Sequence, residues 1–327
     1  MELRKVQRTS GGTFFVCLPK DWAERNRLDR RSLVSLSETV DGRLIVDAKY
    51  SEEREPQVVV IKPNNPLLER EITGKYLLGY DIIRVEAKDR MSTEDREIIK
   101  QVSSRLIGLE IIEEDYSKIV LQCLLEPSAF PPDKILQREQ SIASSMHRDA
   151  VTALVEGDVH LAKNVIARDN EANRLYFLLV RILRTVIQNP GLSEKLGILP
   201  LNCLDYRLTA SLVEAIGDQS VQIAELAVKL GNAKIVKELT QLLLRLHRMA
   251  FEAHENAFKA LFARDIALAE VVRNRRQTVI DLYAEVESAL RKEHVEIAPQ
   301  ILAAASAISR IYDHSQDIAD LIMPKIS

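Results

Sequence analysis

The sequence predicts a mainly α, multidomain protein: a β-rich module at the front, a small α/β domain in the middle and two helical bundles that repeat one another at the back. Three observations carry that expectation. Short apolar runs bounded by turn signals occur only in the first part of the chain. After Pro131-Pro132 the apolar spacing turns helical and stays so. Two stretches of that helical part then match each other at an offset of 107 residues.

Residues 1–50 read as β-rich. "LRKVQRTS" and "TFFVCLP" flank Gly11-Gly12 as a hairpin, "KDWAERNRL" is one short amphipathic helix, and "SLVSLSETVDGRLIV" is a second hairpin turning at Asp41-Gly42, which suits a type I′ turn. Fifty residues bury too little apolar surface to stand alone, and a homodimer pooling two such modules would solve that. The polar stretch "DAKYSEEREPQ" separates this module from residues 57–126. There "VVVIKP", "DIIRVEA", "LEIIEED" and "KIVLQCLLE" read as strands and "NPLLEREITGKYLLG" as a helix. A second helix is capped by Ser92, has Asp95 in its first turn and runs to about Ile107.

From there to the end the pattern gives six helices, grouped as three-helix bundles over 133–230 and 232–323. Breaks fall near Gly157-Asp158, across "NPGLSEKLGILP", at Gly231-Asn232, near Arg264-Asp265 and near His294. The repeat aligns "DVHLAKNVIARDNEANRLY" with "DIALAEVVRNRRQTVIDLY", so that Asp158, Leu161, Ala162, Val165, Arg168, Leu175 and Tyr176 recur. Further on, "VEAIGDQSVQIAE" aligns with "ISRIYDHSQDIAD", and Ile216, Asp218, Ser220, Ile223 and Ala224 recur as Ile311, Asp313, Ser315, Ile318 and Ala319. A duplicated three-helix bundle follows.

Charge is uneven. Residues 1–31 hold eight basic residues against four acids, in a chain whose net charge is -3. A basic arm of this kind suits a polyanionic partner. Cys17, Cys123 and Cys203 are odd in number and lack zinc-site spacing, which fits a reducing cytoplasm. No apolar run approaches the roughly 18 residues of a membrane span, so membrane insertion is not expected.

One helix poses a chemical question. "VEAIGDQSVQIAE" places Glu214 and Asp218 four residues apart with Gly217 between them. Glycine costs a helix interior about 1 kcal/mol, and like charges at this spacing repel. On a helical wheel Leu212, Ile216, Ile223, Ala227 and Leu230 form the core face, and Glu214, Asp218 and Glu225 fall opposite. The bland reading is a solvated face, with the acids unburied. The sharper one is a surface cation site, because carboxylates at i and i+4 project together and suit a hard cation or iron. Asp169 and Asn173, also four apart, lie on the flank of the preceding helix's core face and would look toward them. In the second copy Arg276, Ile280 and Ser309 replace Asp169, Asn173 and Glu214, leaving Asp313 with Asp317 nearby. Any metal is therefore expected in the first bundle. Gly217 would admit a neighbouring helix or a ligand.

These residues carry a resemblance. "LVEAIGDQSVQIAELA" resembles the signature helix of the PhoU family, matching it at Glu214, Gly217, Asp218, Ile223, Ala224 and Glu225. Asp169 and Asn173 match the family's other acidic motif, and the likeness covers about residues 133–323. It implies multinuclear clusters, commonly iron or zinc, bound on the bundle surface by Asp169, Asn173, Glu214 and Asp218. It also implies contacts with a phosphate ABC transporter ATPase or a sensor kinase. The front, "VQRTSGGTFFVCLPKDWAERNRLDRRSLVSL", is similar to the AbrB/SpoVT swapped-hairpin DNA-binding domain, an interleaved homodimer, with Arg31 or Ser32 where that family usually has glycine. The order of the two resembles archaeal phosphate uptake regulators.

The resemblance implies a dimeric, cytoplasmic transcriptional regulator of phosphate uptake that binds DNA through Arg4, Lys5, Arg8, Thr9, Lys20, Arg25, Arg27, Arg30 and Arg31, with Ser10 as a further hydroxyl. The alternative is an adaptor that modulates the phosphate transporter by protein contact, its front module serving only to dimerise. An enzyme is not expected. The bundle helices lack the Glu-x-x-His pairs of di-iron sites, and His147, His254 and His314 are scattered, reading as surface or flank residues.

Overall fold

The computed structural model describes residues 2–38, 42–48, 56–231, 233–293 and 297–322. The Asp41 half of the expected turn, most of the polar stretch after residue 48, Asn232 and the break at His294 lie outside the described residues. The chain divides into two units, Met1–Glu55 and Pro56–Ser327.

In the first unit β1 (Gln7–Arg8) pairs antiparallel with β2 (Phe14–Phe15) around the Gly11-Gly12 turn. Helix α1 (Lys20–Arg25) follows, and β3 (Ser35–Glu38) pairs with β4 (Leu44–Asp47). Both expected hairpins are present. Ser32 closes a turn after α1, accepting from the Asp29 amide at 2.8 Å. Not one described residue of this unit is buried, and Leu3, Val6, Phe14, Leu33, Leu36 and Leu44 are each more than 60% exposed.

The second unit begins with a four-stranded sheet ordered β5-β6-β8-β7. Strands β5 (Val58–Ile61) and β6 (Ile82–Glu86) are parallel, joined through α2 (Leu68–Leu77). After α3 (Thr93–Arg105), strands β7 (Leu109–Glu114) and β8 (Lys118–Cys123) complete the sheet as an antiparallel pair, with a register shift between Ile111 and Glu113. Ser92 caps α3 as expected, accepting from the Asp95 amide. Leu68, Ile72 and Tyr76 of α2 and Ile99 and Val102 of α3 close over Ile83, Val85, Ile119 and Leu121 of the sheet.

Helices α4 (Pro132–Glu156), α5 (Val159–Gln188) and α7 (Pro200–Leu230) pack as one bundle. Helices α8 (Lys237–Ala263), α9 (Ile266–Arg273), α10 (Arg276–Glu293) and α11 (Ala298–Asp320) form the other. The six-helix expectation needs correction. A short helix, α6 (Pro190–Leu196), occupies "NPGLSEKL", and the fifth long helix is broken into α9 and α10 around Asn274-Arg275. The starts of the two copies correspond in detail. Asp158 accepts from the Leu161 amide and Asp265 from the Leu268 amide, each as an N-cap. Arg168 reaches Asp149 on α4, and its counterpart Arg275 reaches Glu252 on α8. Ser220 and Ser315, both buried, each donate back to the carbonyl four residues earlier. One apolar core runs through both bundles.

A buried side chain ties the sheet domain to the first bundle, beside the apolar packing of Phe177 against the sheet-domain core. Arg181 of α5, buried, donates to the carbonyls of Tyr76, Tyr80 and Gly79 at 2.5, 3.0 and 3.4 Å. Those carbonyls lie at and just past the C-terminus of α2, where a cation complements the helix dipole. Its guanidinium also lies 4.9 Å from the centre of the Tyr76 ring.

Candidate functional site

Asp169 and Asn173 on α5 and Glu214 and Asp218 on α7 are brought together, as the spacing required. The helices adjoin, and the four side chains occupy facing flanks. Asn173 donates to Asp169 at 2.8 Å. Burial, then the Asp218 charge, hold the Asp169 carboxyl above its ordinary value. Glu214 is pushed up to about 7 by burial, then by Asp218 and Asp169, with Arg207 working against them. Asp218, the most exposed, is raised by partial desolvation.

The solvated-face reading is therefore only partly right. Asp218 and Glu225 are exposed, but Glu214 is half-buried. Helix α7 lies between α5 on one flank and α4 and α11 on others, so less of it reaches water than a single core arc implies. Gly217 is buried against α4, and a Cβ built there would sit 3.9 Å from Met146 Cε, an ordinary contact.

A fifth carboxyl stands behind these four. Glu139 of α4 is wholly buried, and neither of its carboxylate oxygens has a hydrogen-bond partner. Burial, then the charge of Glu214, hold it well above the ordinary range, which favours the protonated form. The sequence reading missed it, although Glu139 is in phase with Leu136, Ala143, Met146 and Ala150, the buried positions of its helix. Its place on the core face was the available signal.

The donors are oxygens, the chemistry a hard cation or iron prefers. Among the described residues, however, no three His, Cys, Asp or Glu side chains converge closely enough to hold one ion. In this arrangement the carboxylates are linked by their mutual field and not by a shared centre.

In the second copy Arg276 stands where Asp169 does in the first, and its charge lowers Asp313 against the effect of burial. Ile280, in place of Asn173, is 49% exposed. Tyr312, at the position of Gly217, is buried and donates to the Val272 carbonyl.

The histidine expectation is overturned for two residues. His147 and His254 are fully buried where α4 of one bundle meets α8 of the other. His147 Nε2 lies 3.0 Å from Nδ1 of His247, and both ring nitrogens of His254 are unpartnered. Both are held neutral: His254 at about 4 by burial, and His147 well below its usual value by burial and then by His247. His314 is partly buried. The polar neighbours of each histidine in sequence disguised its inward phase.

In the first unit every expected DNA contact, Arg4, Lys5, Arg8, Thr9, Lys20, Arg25, Arg27, Arg30 and Arg31, is exposed, as is Ser10. Several are engaged locally. Arg4 pairs with Glu2, Lys20 with Glu24 at 3.6 Å, Arg8 stacks 5.4 Å from the Phe14 ring centre, and Thr9 accepts from the Thr13 amide. No helix among the described residues is long and apolar enough to cross a membrane.

With this geometry in view, comparison with known proteins is specific for the helical part. The family model described as the PhoU domain matches residues 136–227 and 243–322, once in each copy and together more than half of the chain. The chain is 26% identical over 192 residues to the phosphate-specific transport system accessory protein PhoU homolog of Rhizobium meliloti (strain 1021), spanning 55% of this chain and 78% of that one. The crystal structure of PhoU from Pseudomonas aeruginosa superposes with a TM-score of 0.54 at 20% identity, over 60% of this chain and 95% of that one. The phosphate transport system regulatory protein PhoU from Streptococcus pneumoniae gives 0.50 at 16% identity, over 58% and 91%. At these identities the two solved structures show a shared fold.

Proposed function

This chain belongs to the PhoU family, and we propose that it works as an accessory, regulatory protein of a phosphate transport system, acting by protein contact through its helical bundles. The observation that carries this reading is the double family match, which falls on both copies of the bundle and on the acid-bearing helices α5 and α7. The relative from Rhizobium meliloti, named as an accessory protein of phosphate-specific transport, supports it. The test is affinity purification of the tagged full chain from its native cells under phosphate limitation and excess. Recovery of a transporter ATPase or a sensor kinase in a phosphate-dependent amount is the expected result. A chain recovered without either partner under both conditions would overturn it.

A second reading has its own observation. Residues 1–31 have a basic surplus, and none of the described residues of the first unit is buried, yet it shows large apolar side chains on its strands. Two copies interleaving these strands would gain a core and present two sets of arginines to DNA. This AbrB/SpoVT-like role would make the regulator a transcription factor as well. Mobility shifts on the upstream region of a phosphate transporter operon, at low and physiological salt, decide it; phosphate-contacting binding weakens steeply with salt. Iron or zinc at Asp169, Asn173, Glu214 and Asp218 is also proposed, and requires the side chains to close around the ion. Metal analysis of chelator-free wild type and Asp218→Ala tests that, and equal content would remove Asp218 from such a site.

A further inference from the structure

A cavity of about 390 Å³ lies between the sheet domain and the first bundle, walled by α2 and α3 on one side and α5 and α7 on the other. It exists because the sheet domain is fastened to α5, and its size falls within the range of small-molecule sites. The relative from Rhizobium meliloti and the two solved PhoU structures correspond to no more than 60% of this chain, and the matched bundle domains begin at residue 136, beyond the α2 and α3 wall.

Its polar lining sets two arginines beside two carboxylates, Glu69 and Glu214. Arg174 of α5 has no carboxylate partner among the described residues. Arg105 of α3 is held by Glu69 at 2.7 Å, both side chains more than half exposed. Such a pair contributes little and exchanges readily. Thr73 and Asn170 add a hydroxyl and an amide, while Val102, Leu106 and Phe177 supply an apolar wall. Two guanidinium groups beside neutral donors suit a tetrahedral oxyanion, which arginine grips through paired N–H bonds. The apolar wall leaves room for an organic body. Asn173 and Glu214 also line the cavity, so an occupant would lie beside the acid cluster.

We propose that this cavity binds a small phosphate-bearing molecule, its phosphate on Arg105 and Arg174 and any organic part against Phe177. The choice of phosphate among oxyanions rests on the phosphate-transport reading above; the cavity does not. Glu214 faces the same space and opposes an anion, so its charge sets a ceiling on affinity in the absence of a cation. Arg105 must exchange Glu69 for the ligand.

Calorimetric titration of the full chain with orthophosphate, glycerol 3-phosphate and succinate tests the proposal. One site per chain for orthophosphate or glycerol 3-phosphate is expected. Affinity should weaken at least tenfold in both Arg174→Gln and Arg105→Gln and strengthen in Glu214→Gln, with unfolding curves confirming that each variant is folded. Tighter binding of glycerol 3-phosphate would identify an ester as the occupant; tighter orthophosphate would identify the free ion. No binding of either phosphate compound, wild-type affinity in either arginine variant, or a preference for succinate would overturn it. The titration needs no transporter, so it can fail while the partner purification succeeds, and the reverse.

Discussion

The two bundles share capping, buried serines and the arginine that ties the second helix to the first, yet treat one helix face in opposite ways. In the first, Asp169, Glu214 and Asp218 repel one another beside a glycine, with the buried acid Glu139 behind them. In the second, Arg276 answers Asp313, and Tyr312 fills the space the glycine leaves. The same scaffold thus carries an electrostatically strained copy and a relaxed one.

The largest way to break that contrast is to empty the relaxed copy. Tyr312→Ala should destabilise the chain by about 3–5 kcal/mol, whereas Gly217→Ala, which meets no close atom, should gain up to about 1 kcal/mol from helix propensity; denaturant midpoints of both variants check the pair. The seam between the copies comes next. His254 titrates at about 4 in the fold against 6.5 when free. The unfolded chain therefore binds more protons, and stability falls as pH drops from 6.5 towards 4. The loss is on the order of 3 kcal/mol, and His254→Leu should abolish that part of the acid sensitivity in unfolding curves taken across the range.

Glu139 has the opposite sign. Its folded value is raised, so its stabilising neutral form is lost as pH rises and the buried carboxyl ionises. Glu139→Met should stabilise the chain by about 1–3 kcal/mol, with a larger gain at pH 8 than at pH 5 in chemical denaturation. Giving the first copy the arginine of the second is subtler. Asp169→Arg should bring the Glu214 midpoint down from about 7 by about one pH unit, roughly 1.4 kcal/mol, read by NMR of the labelled carboxyl. The smallest effect concerns the turns. Gly157 ends α4 at φ 72° and Arg264 ends α8 at φ 52°. Arg264→Gly removes left-handed strain and should raise the thermal midpoint by an amount equivalent to about 0.5–1 kcal/mol.

Sequence alone reached the paired acids because the i, i+4 spacing on two adjoining helices leaves little freedom in where side chains point. It reached the helix starts at Asp158 and Asp265 because a cap is a local hydrogen bond. It did not reach Glu139, His147 or His254, whose inward direction depends on which helix lies across from them. Nor did it reach α6, whose Asn189 cap, Pro190 start and Gly197 stop also fit an interruption; at seven residues the same signals bound a helix and a loop alike. The break between α9 and α10 carries no glycine or proline. The cavity walled by α2, α3, α5 and α7 was invisible, because it belongs to the docking of two domains and to neither separately.

That docking has a practical corollary. The last turn of α2 is finished by Arg181, an atom group owned by a helix more than a hundred residues downstream. Excising the sheet domain would take this buried cation away from three carbonyls, and trimming the bundles back to their family boundary would leave a guanidinium stacked on nothing. The smallest piece of this protein that can be handled with its polar groups at peace starts near Pro56 and keeps sheet and helices together.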